Sequence, residues 1–203
     1  MIGTLYIVSA PSGAGKTSLV NALVESVPGM VISVSHTTRS RRPRESEGVH
    51  YHFIDDAHFE EMVAAGEFLE HACVFGNRYG TCREQVVRQL GRGTDVILEI
   101  DWQGAEQVRA AMPGCVSVFI LPPSRAELEH RLRGRREDSD AVIAARMREA
   151  VNEMSHYHEY DYLLVNDDFD AALADLSRVV RARRLRREAQ EEHLAAVLRE
   201  LLG

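Results

Sequence analysis

Lysine is nearly absent from this 203-residue chain. Of its 24 Lys and Arg residues one alone, Lys16, is a lysine, so a bias toward arginine has spared a single position where a compact ammonium on a flexible stem differs from a planar guanidinium. Cysteine is scarce as well. Cys73, Cys82 and Cys115 are odd in number and show no C-x-x-C spacing, which argues against a disulfide framework or a zinc site and for a cytoplasmic setting. No apolar run approaches the ~20 residues of a membrane span, and no basic segment precedes the short apolar stretch at the N-terminus, so neither membrane insertion nor export is expected. Acidic residues outnumber basic ones, 31 to 24, and the net charge of -7 argues against general nucleic-acid binding. Hydrophobic residues, by contrast, make up 45% of the chain. That is enough to bury a substantial core as one domain with inserted subdomains, and too much for disorder.

Lys16 stands in Ala10-Pro11-Ser12-Gly13-Ala14-Gly15-Lys16-Thr17. The segment fits the phosphate-binding pattern G-x-x-x-x-G-K-[ST] at every fixed position but the first, where Ala10 replaces glycine. Its context fits too: Thr4 to Ser9 is an apolar run of strand character, and Leu19, Val20, Leu23, Val24 and Val27 recur at helical spacing afterwards. A strand entering and a helix leaving would turn backbone N–H groups and the helix N-terminus toward phosphate oxygens. Lys16 is then expected to reach the β and γ phosphates, and Thr17 to offer its hydroxyl to Mg²⁺. The duller alternative is a glycine-rich turn capping a helix.

Further β-rich runs lie at Val31 to Ser35, Val96 to Ile100, Val116 to Leu121 and Tyr162 to Val165, with helical patterns between most of them. Such alternation predicts an α/β fold with a central parallel sheet. Residues 35–83 interrupt it with Arg, Pro, Gly and aromatics, a possible strand at Tyr51 to Ile54 and a helix near Ala57 to Ala65, and read as an inserted lobe. Residues 125–150 are arginine-rich and helical in pattern, broken by Gly134, and suit a mobile flap. The core then comprises 1–34, 84–124 and 151–203. From Asp170 onward the spacing of Leu173, Leu176, Val179, Val180, Leu194, Val197 and Leu201 predicts one long amphipathic helix.

A phosphate loop identifies neither reaction nor acceptor. Three further runs do more: Ser33-Val34-Ser35-His36-Thr37-Thr38-Arg39-Ser40-Arg41-Arg42-Pro43; Gly66-Glu67-Phe68-Leu69-Glu70, followed by Phe75-Gly76-Asn77-Arg78-Tyr79-Gly80-Thr81; and Ile97-Leu98-Glu99-Ile100-Asp101-Trp102-Gln103-Gly104. In this order after the loop they closely resemble guanylate kinase, which phosphorylates GMP to GDP with ATP. The likeness spans almost the whole chain, including lid arginines in Arg131-Leu132-Arg133-Gly134-Arg135 and at Arg146, and the late run from Tyr160 to Asp168.

The resemblance implies a three-layer P-loop NTPase fold with a GMP-binding lobe and a helical lid. It implies that Ser35, Arg39, Arg42, Tyr51 and Tyr79 hold the GMP phosphate while Glu70, Thr81 and Asp101 read guanine. ATP would occupy Ala10 to Ser18 with Arg135 and Asn166, and Lys16, Arg39, Arg42, Arg131, Arg135 and Arg146 would surround the transferring phosphoryl group. Asp101 is a second candidate for Mg²⁺, through water, with Glu99 as the runner-up. The chemistry is consistent. One carboxylate can accept from N1–H and N2–H₂ of guanine together, whereas adenine would leave it unpaired. His36 and Trp102 are expected to be structural, and Arg41 and Arg44 surface charges. Arg136 and Arg44 depart from the family pattern, where glycine is usual. The small molecules GMP and ATP are the expected partners, neither nucleic acid nor membrane is, and neither a monomer nor a homo-oligomer is singled out. The competing possibilities are a non-catalytic module of the same fold, another nucleoside monophosphate kinase, and a bare NTPase. The full phosphate machinery, together with Glu70 and Thr81, argues against each.

Overall fold

The structure, a computed structural model, describes residues 2–74, 76–134, 139–191 and 193–203. All five residues of β1 (Leu5–Ser9) are buried, because helices cover both faces of the sheet they enter. β1 is the middle strand of a five-stranded parallel sheet in the order β2 (Met30–Ile32), β7 (Asp95–Glu99), β1, β8 (Val116–Leu121), β9 (Tyr162–Val165). Alternate residues of β1 face opposite layers, as the period of a strand requires. Tyr6 and Val8 pack with Leu19, Val20 and Leu23 of α1 (Lys16–Ser26) and with Ala172, Leu176 and Val180 of α7 (Phe169–Arg184). Leu5 and Ile7 pack with Val86 and Leu90 of α3 (Arg83–Gly91) and with Ala105 and Val108 of α4 (Trp102–Ala111). The result is the three-layer α/β arrangement expected from sequence.

A second sheet interrupts the first. Its four strands run β4 (His52–Phe53), β3 (His36–Thr37), β6 (Asn77–Cys82), β5 (Phe68–Val74). α2 (Asp56–Ala64) covers it through Phe59 and Met62, which cluster with Phe68. The β5–β6 hairpin was not foreseen, since its sequence lacks a clean alternation: Phe68, Leu69 and Glu70 are buried in succession. Register shifts between Phe68 and Glu70, and this irregularity is how a charged residue comes to lie inward beside its apolar neighbours.

Side-chain caps set the starts of several helices. Asp55, Asp101, Ser124 and Asp168 accept the N–H of His58, Gly104, Glu127 and Ala171 and begin α2, α4, α5 (Arg125–Arg133) and α7. α5 stops at Arg133 just before Gly134, and α6 (Asp140–Ser155) returns against it through Leu128, Leu132, Ile143 and Ala150. α6 continues past residue 150, where sequence alone placed the end of the flap.

The long C-terminal helix is the clear correction. Three helices replace it: α7, the short α8 (Arg187–Gln190) and α9 (Ala195–Leu202). Arg184 ends the first by donating to Asp95 Oδ2 (2.9 Å) and to the Pro28 carbonyl (2.9 Å), and the Gln190 side chain donates to the Arg184 carbonyl at 2.8 Å. Beyond that point the apolar spacing persists without burial: Val197 is 49% exposed and Leu201 73%. No helix among the described residues is long and apolar enough to cross a membrane.

Candidate active site

The phosphate loop leaves the C-terminal end of β1 and turns into α1 with Gly13 at φ 97° and Gly15 at φ 92°, a region other residues rarely adopt. Space is restricted at the same places. A Cβ on Gly15 would lie 2.4 Å from Asn166 Nδ2, and one on Gly13 would lie 3.0 Å from Leu128 Cδ1. Ala14 is fully buried and its carbonyl accepts from Asn166 Nδ2 at 2.7 Å. Asn166, expected near ATP, therefore acts on the loop itself.

Strand register then assembles the loop's partners. Val8 lies beside Glu99 on the neighbouring strand β7, so the Glu99 carboxylate arrives at the loop and accepts from Thr17 Oγ1 at 2.9 Å. Lys16 Nζ reaches the Ile100 carbonyl at 3.4 Å. A hydroxyl and a carboxylate side by side are oxygen donors suited to Mg²⁺ when a nucleotide supplies further ligands. Among the described residues no cluster of three or more His, Cys, Asp or Glu could hold a metal unaided. It is Glu99 that touches Thr17, while Asp101 Oδ1 is engaged in capping α4 through Gly104 N (2.9 Å).

Across the cleft Glu70 is 3% exposed and Thr81 0%. Paired in register on β5 and β6, they share a hydrogen bond of 2.5 Å from Thr81 Oγ1 to Glu70 Oε1. Burial, reinforced by the charge of Asp101 and opposed by the Thr81 hydrogen bond, pushes the Glu70 carboxyl up to about 7. A buried carboxylate with one oxygen satisfied and a cleft before it is a specific acceptor for paired N–H donors.

One cleft of about 390 Å³ is lined by both sets: Ala10, Pro11, Ser12, Gly13, Gly15, Lys16, Thr17 and Ser18 of the loop together with Glu99, and Ser35, Tyr51, Glu70 and Tyr79 of the lobe, with Asp101 and Glu153 also in the lining. Thr81 stands behind Glu70. Arg39 adjoins the cleft with its guanidinium 5.4 Å from the centre of the Tyr51 ring, a cation–π arrangement. Glu45 grips that guanidinium in a two-pronged ion pair at 2.8 and 3.1 Å and also accepts the Arg42 N–H at 2.8 Å. The Arg42 residue itself is exposed and is not part of the cleft lining. Arg41 and Arg44 are exposed, as expected of surface charges. His36 is buried against His52 and Phe68, and Trp102 stacks on His156 at 3.7 Å, both structural roles.

The lid arginines are divided. Arg146 donates to Ser12 Oγ at 3.1 Å, whereas Arg131 pairs with Glu127 (2.7 Å) and donates to the Asn166 carbonyl (3.2 Å) in an adjoining cleft behind the loop. Arg135 and Arg136 lie outside the described residues. Sequence reasoning missed Glu45, Glu153 and the spatial role of Gly104. Glu45 follows Arg42 by three residues, a turn spacing that could have signalled it; the other two meet the site only through tertiary contacts.

Comparison with known proteins accords with this geometry. Residues 2–183 match the family model described as guanylate kinase. A guanylate kinase of Alkalilimnicola ehrlichii is 65% identical over the whole of both chains. One of Escherichia coli K12 is 58% identical over 99% of this chain and 98% of its own length. Among solved structures, guanylate kinase from Anaplasma phagocytophilum is 36% identical over 94% of this chain and 95% of its own, with a TM-score of 0.77. With loop, lobe and cleft in this arrangement and these likenesses running nearly end to end, the chain belongs to the guanylate kinase family.

Proposed function

We propose that this protein transfers the γ-phosphoryl group of ATP to GMP, and also to dGMP, giving ADP and the guanosine diphosphate, in the cytoplasm, where it supports guanine nucleotide recycling. The observation that carries this is the facing of two sites across one cleft, the Lys16–Thr17–Glu99 group on one side and the buried Glu70–Thr81 pair on the other. Residues 35–83 act as the GMP lobe and 125–150 as the lid over a core of 1–34, 84–124 and 151–203.

Glu70 accepts N1–H and N2–H₂ of guanine, Thr81 orients that carboxylate by donating its hydroxyl to Oε1, and Asp101 holds the first turn of α4 beside them. Ser35, Arg39, Arg42, Tyr51 and Tyr79 bind the GMP phosphate, with arginine supplying charge-assisted hydrogen bonds and the tyrosines neutral ones. ATP phosphates sit on the backbone of Ala10 to Ser18, with Lys16 on the transferring end and Arg135 and Asn166 on the donor side. Mg²⁺ bound with ATP neutralises phosphate charge, and Thr17 with Glu99 would hold it, Asp101 through water being the weaker candidate. Phosphoryl transfer asks the protein for in-line placement and charge neutralisation. Lys16, Arg39, Arg42, Arg131, Arg135 and Arg146 provide the charge. No general base is needed, because a GMP phosphate oxygen is already nucleophilic. Closure of lobe and lid excludes water, the competing acceptor.

The test is Mg²⁺-dependent ADP formation from ATP with GMP, dGMP, AMP, CMP and UMP as acceptors, identifying the diphosphate directly. Activity confined to the guanine acceptors is expected. GMP binding without turnover, or preference for another base, would overturn it.

A further inference from the structure

Glu153 lines the cleft but has no part in the transfer described above. An acid there is costly, since the phosphates that enter are anionic and like charges repel at short range. Burial already raises its carboxyl to about 7, with Glu149 and Asp101 adding to the rise while Ser12 N–H and Lys16 oppose it. A contact must compensate. Glu153 Oε2 accepts the backbone N–H of Ser12 at 3.2 Å, and the same Ser12 receives Arg146 NH2 on its Oγ at 3.1 Å. Arg146 and Glu153 stand seven residues apart on α6, two turns along one face of the helix.

We propose that Glu153 is a positioning residue which, together with Arg146, clamps the phosphate loop to α6 through Ser12. The clamp acts on the first half of the loop, whose own bracing is the Ala14 N–H donated to the Pro11 carbonyl at 3.0 Å. Pro11 has no N–H to anchor it, whereas the second half is fixed by the Asn166 bond to Ala14 and by entry into α1. α5 adds an apolar backing at Gly13 through Leu128 and Leu132, and α5 and α6 share one apolar cluster. The helical pair that carries Arg131 and Arg146 thus holds the loop at two successive residues, so a change in its position is transmitted to the ATP phosphates. This inference rests on the assignment of Ala10–Thr17 to ATP.

ATP and GMP binding measured separately by calorimetry on the intact protein, E153A and E153Q tests it, with thermal unfolding as the control for folding. At pH 8, where a carboxyl raised to about 7 is mostly ionised, E153A is expected to bind ATP about tenfold more weakly, the weight of one hydrogen bond to a charged acceptor, with GMP affinity changed less than about twofold. E153Q keeps an oxygen that accepts the Ser12 N–H and is expected to recover most of the loss. ATP binding that is unchanged or tightened in E153A, GMP binding weakened in parallel, or E153Q as weak as E153A would overturn the clamp. If the unaltered protein failed to bind ATP at all, the loop assignment itself would fall. Hydrogen exchange at the Ser12 to Gly15 amides of nucleotide-free protein then decides the clamp alone: faster exchange in E153A than in E153Q supports it, and equal rates overturn it.

Discussion

The Glu70 carboxylate occupies the space where Gly104 would carry a side chain: a Cβ there would lie 2.6 Å from Oε2 and 3.2 Å from Cδ of Glu70. Gly104 belongs to the first turn of α4, whose cap is Asp101, so the helix start and the proposed guanine-reading acid are fitted to each other. Glycine costs a helix about 1 kcal/mol relative to alanine, and the close approach gives that cost a purpose.

Gly104→Ala is accordingly expected to leave folding stability within about 1 kcal/mol, because improved helix propensity offsets local crowding. Displacement of Glu70 should raise KM for GMP about tenfold or more. KM for ATP should change less than about twofold. Steady-state kinetics with each substrate varied, beside a urea melt, checks all three.

Glu70 makes stability depend on pH in a stated direction. Its carboxyl rises from the ordinary 4.5 to about 7 in the fold, so between these values the folded protein holds a proton that the unfolded chain has released. Stability from this group falls as pH rises from about 4.5 to about 7 and levels off above, a loss of ~3 kcal/mol in all. E70Q should show a shallower decline than the unaltered protein in urea unfolding between pH 5 and 8; equal slopes would contradict the assignment.

Binding of the base has the opposite dependence, because Glu70 must be ionised to accept from N1–H and N2–H₂. Guanosine affinity should fall about tenfold for each pH unit below about 7. Guanosine is the useful probe, since it has no phosphate to titrate in the same range. Calorimetry across pH 5.5 to 8 should find this limb in the unaltered protein and none in E70Q.

Thr17 and Glu99 are joined by a 2.9 Å hydrogen bond, while Asp101 caps α4. E99Q is therefore expected to lower kcat by about 100-fold and to raise the Mg²⁺ concentration needed for half-maximal rate. D101N should instead raise KM for GMP through Glu70 and leave the Mg²⁺ requirement alone. Metal titrations of the two variants separate these roles.

Arg39 offers a planar fork that Glu45 holds over Tyr51. R39K keeps the charge but cannot span both Glu45 and a phosphate. KM for GMP should rise about tenfold, with KM for ATP unchanged, in the same steady-state assay.

Much of this was legible in the chain itself. Lys16 and the glycines around it identified the phosphate loop because a tight turn between strand and helix needs specific residue types at fixed spacing. Strands β1, β7 and β8 could be read because burial on both faces demands unbroken apolar runs, and the edge strand β9 because its run Tyr162–Val165 is equally apolar although only Leu164 is buried. The lobe was visible as an interruption, yet its β5–β6 hairpin was not, since the inward placement of Glu70 depends on a register shift that no periodicity records. The C-terminal helix was overextended because apolar spacing reports an amphipathic face whether or not a core exists to receive it, and Arg184 ends α7 through contacts with Asp95 and Pro28, distant in sequence.

What sequence determined by itself, then, was local: the loop chemistry, the alternation of strand and helix, and the presence of an acid, a hydroxyl and arginines fit for a guanine nucleotide. Tertiary structure alone decided which carboxylate meets Thr17, that Gly104 makes room for Glu70, and that Glu153 and Arg146 converge on Ser12. Those relationships join residues 34 to 141 positions apart, and only strand register and helix packing bring such positions within hydrogen-bonding distance.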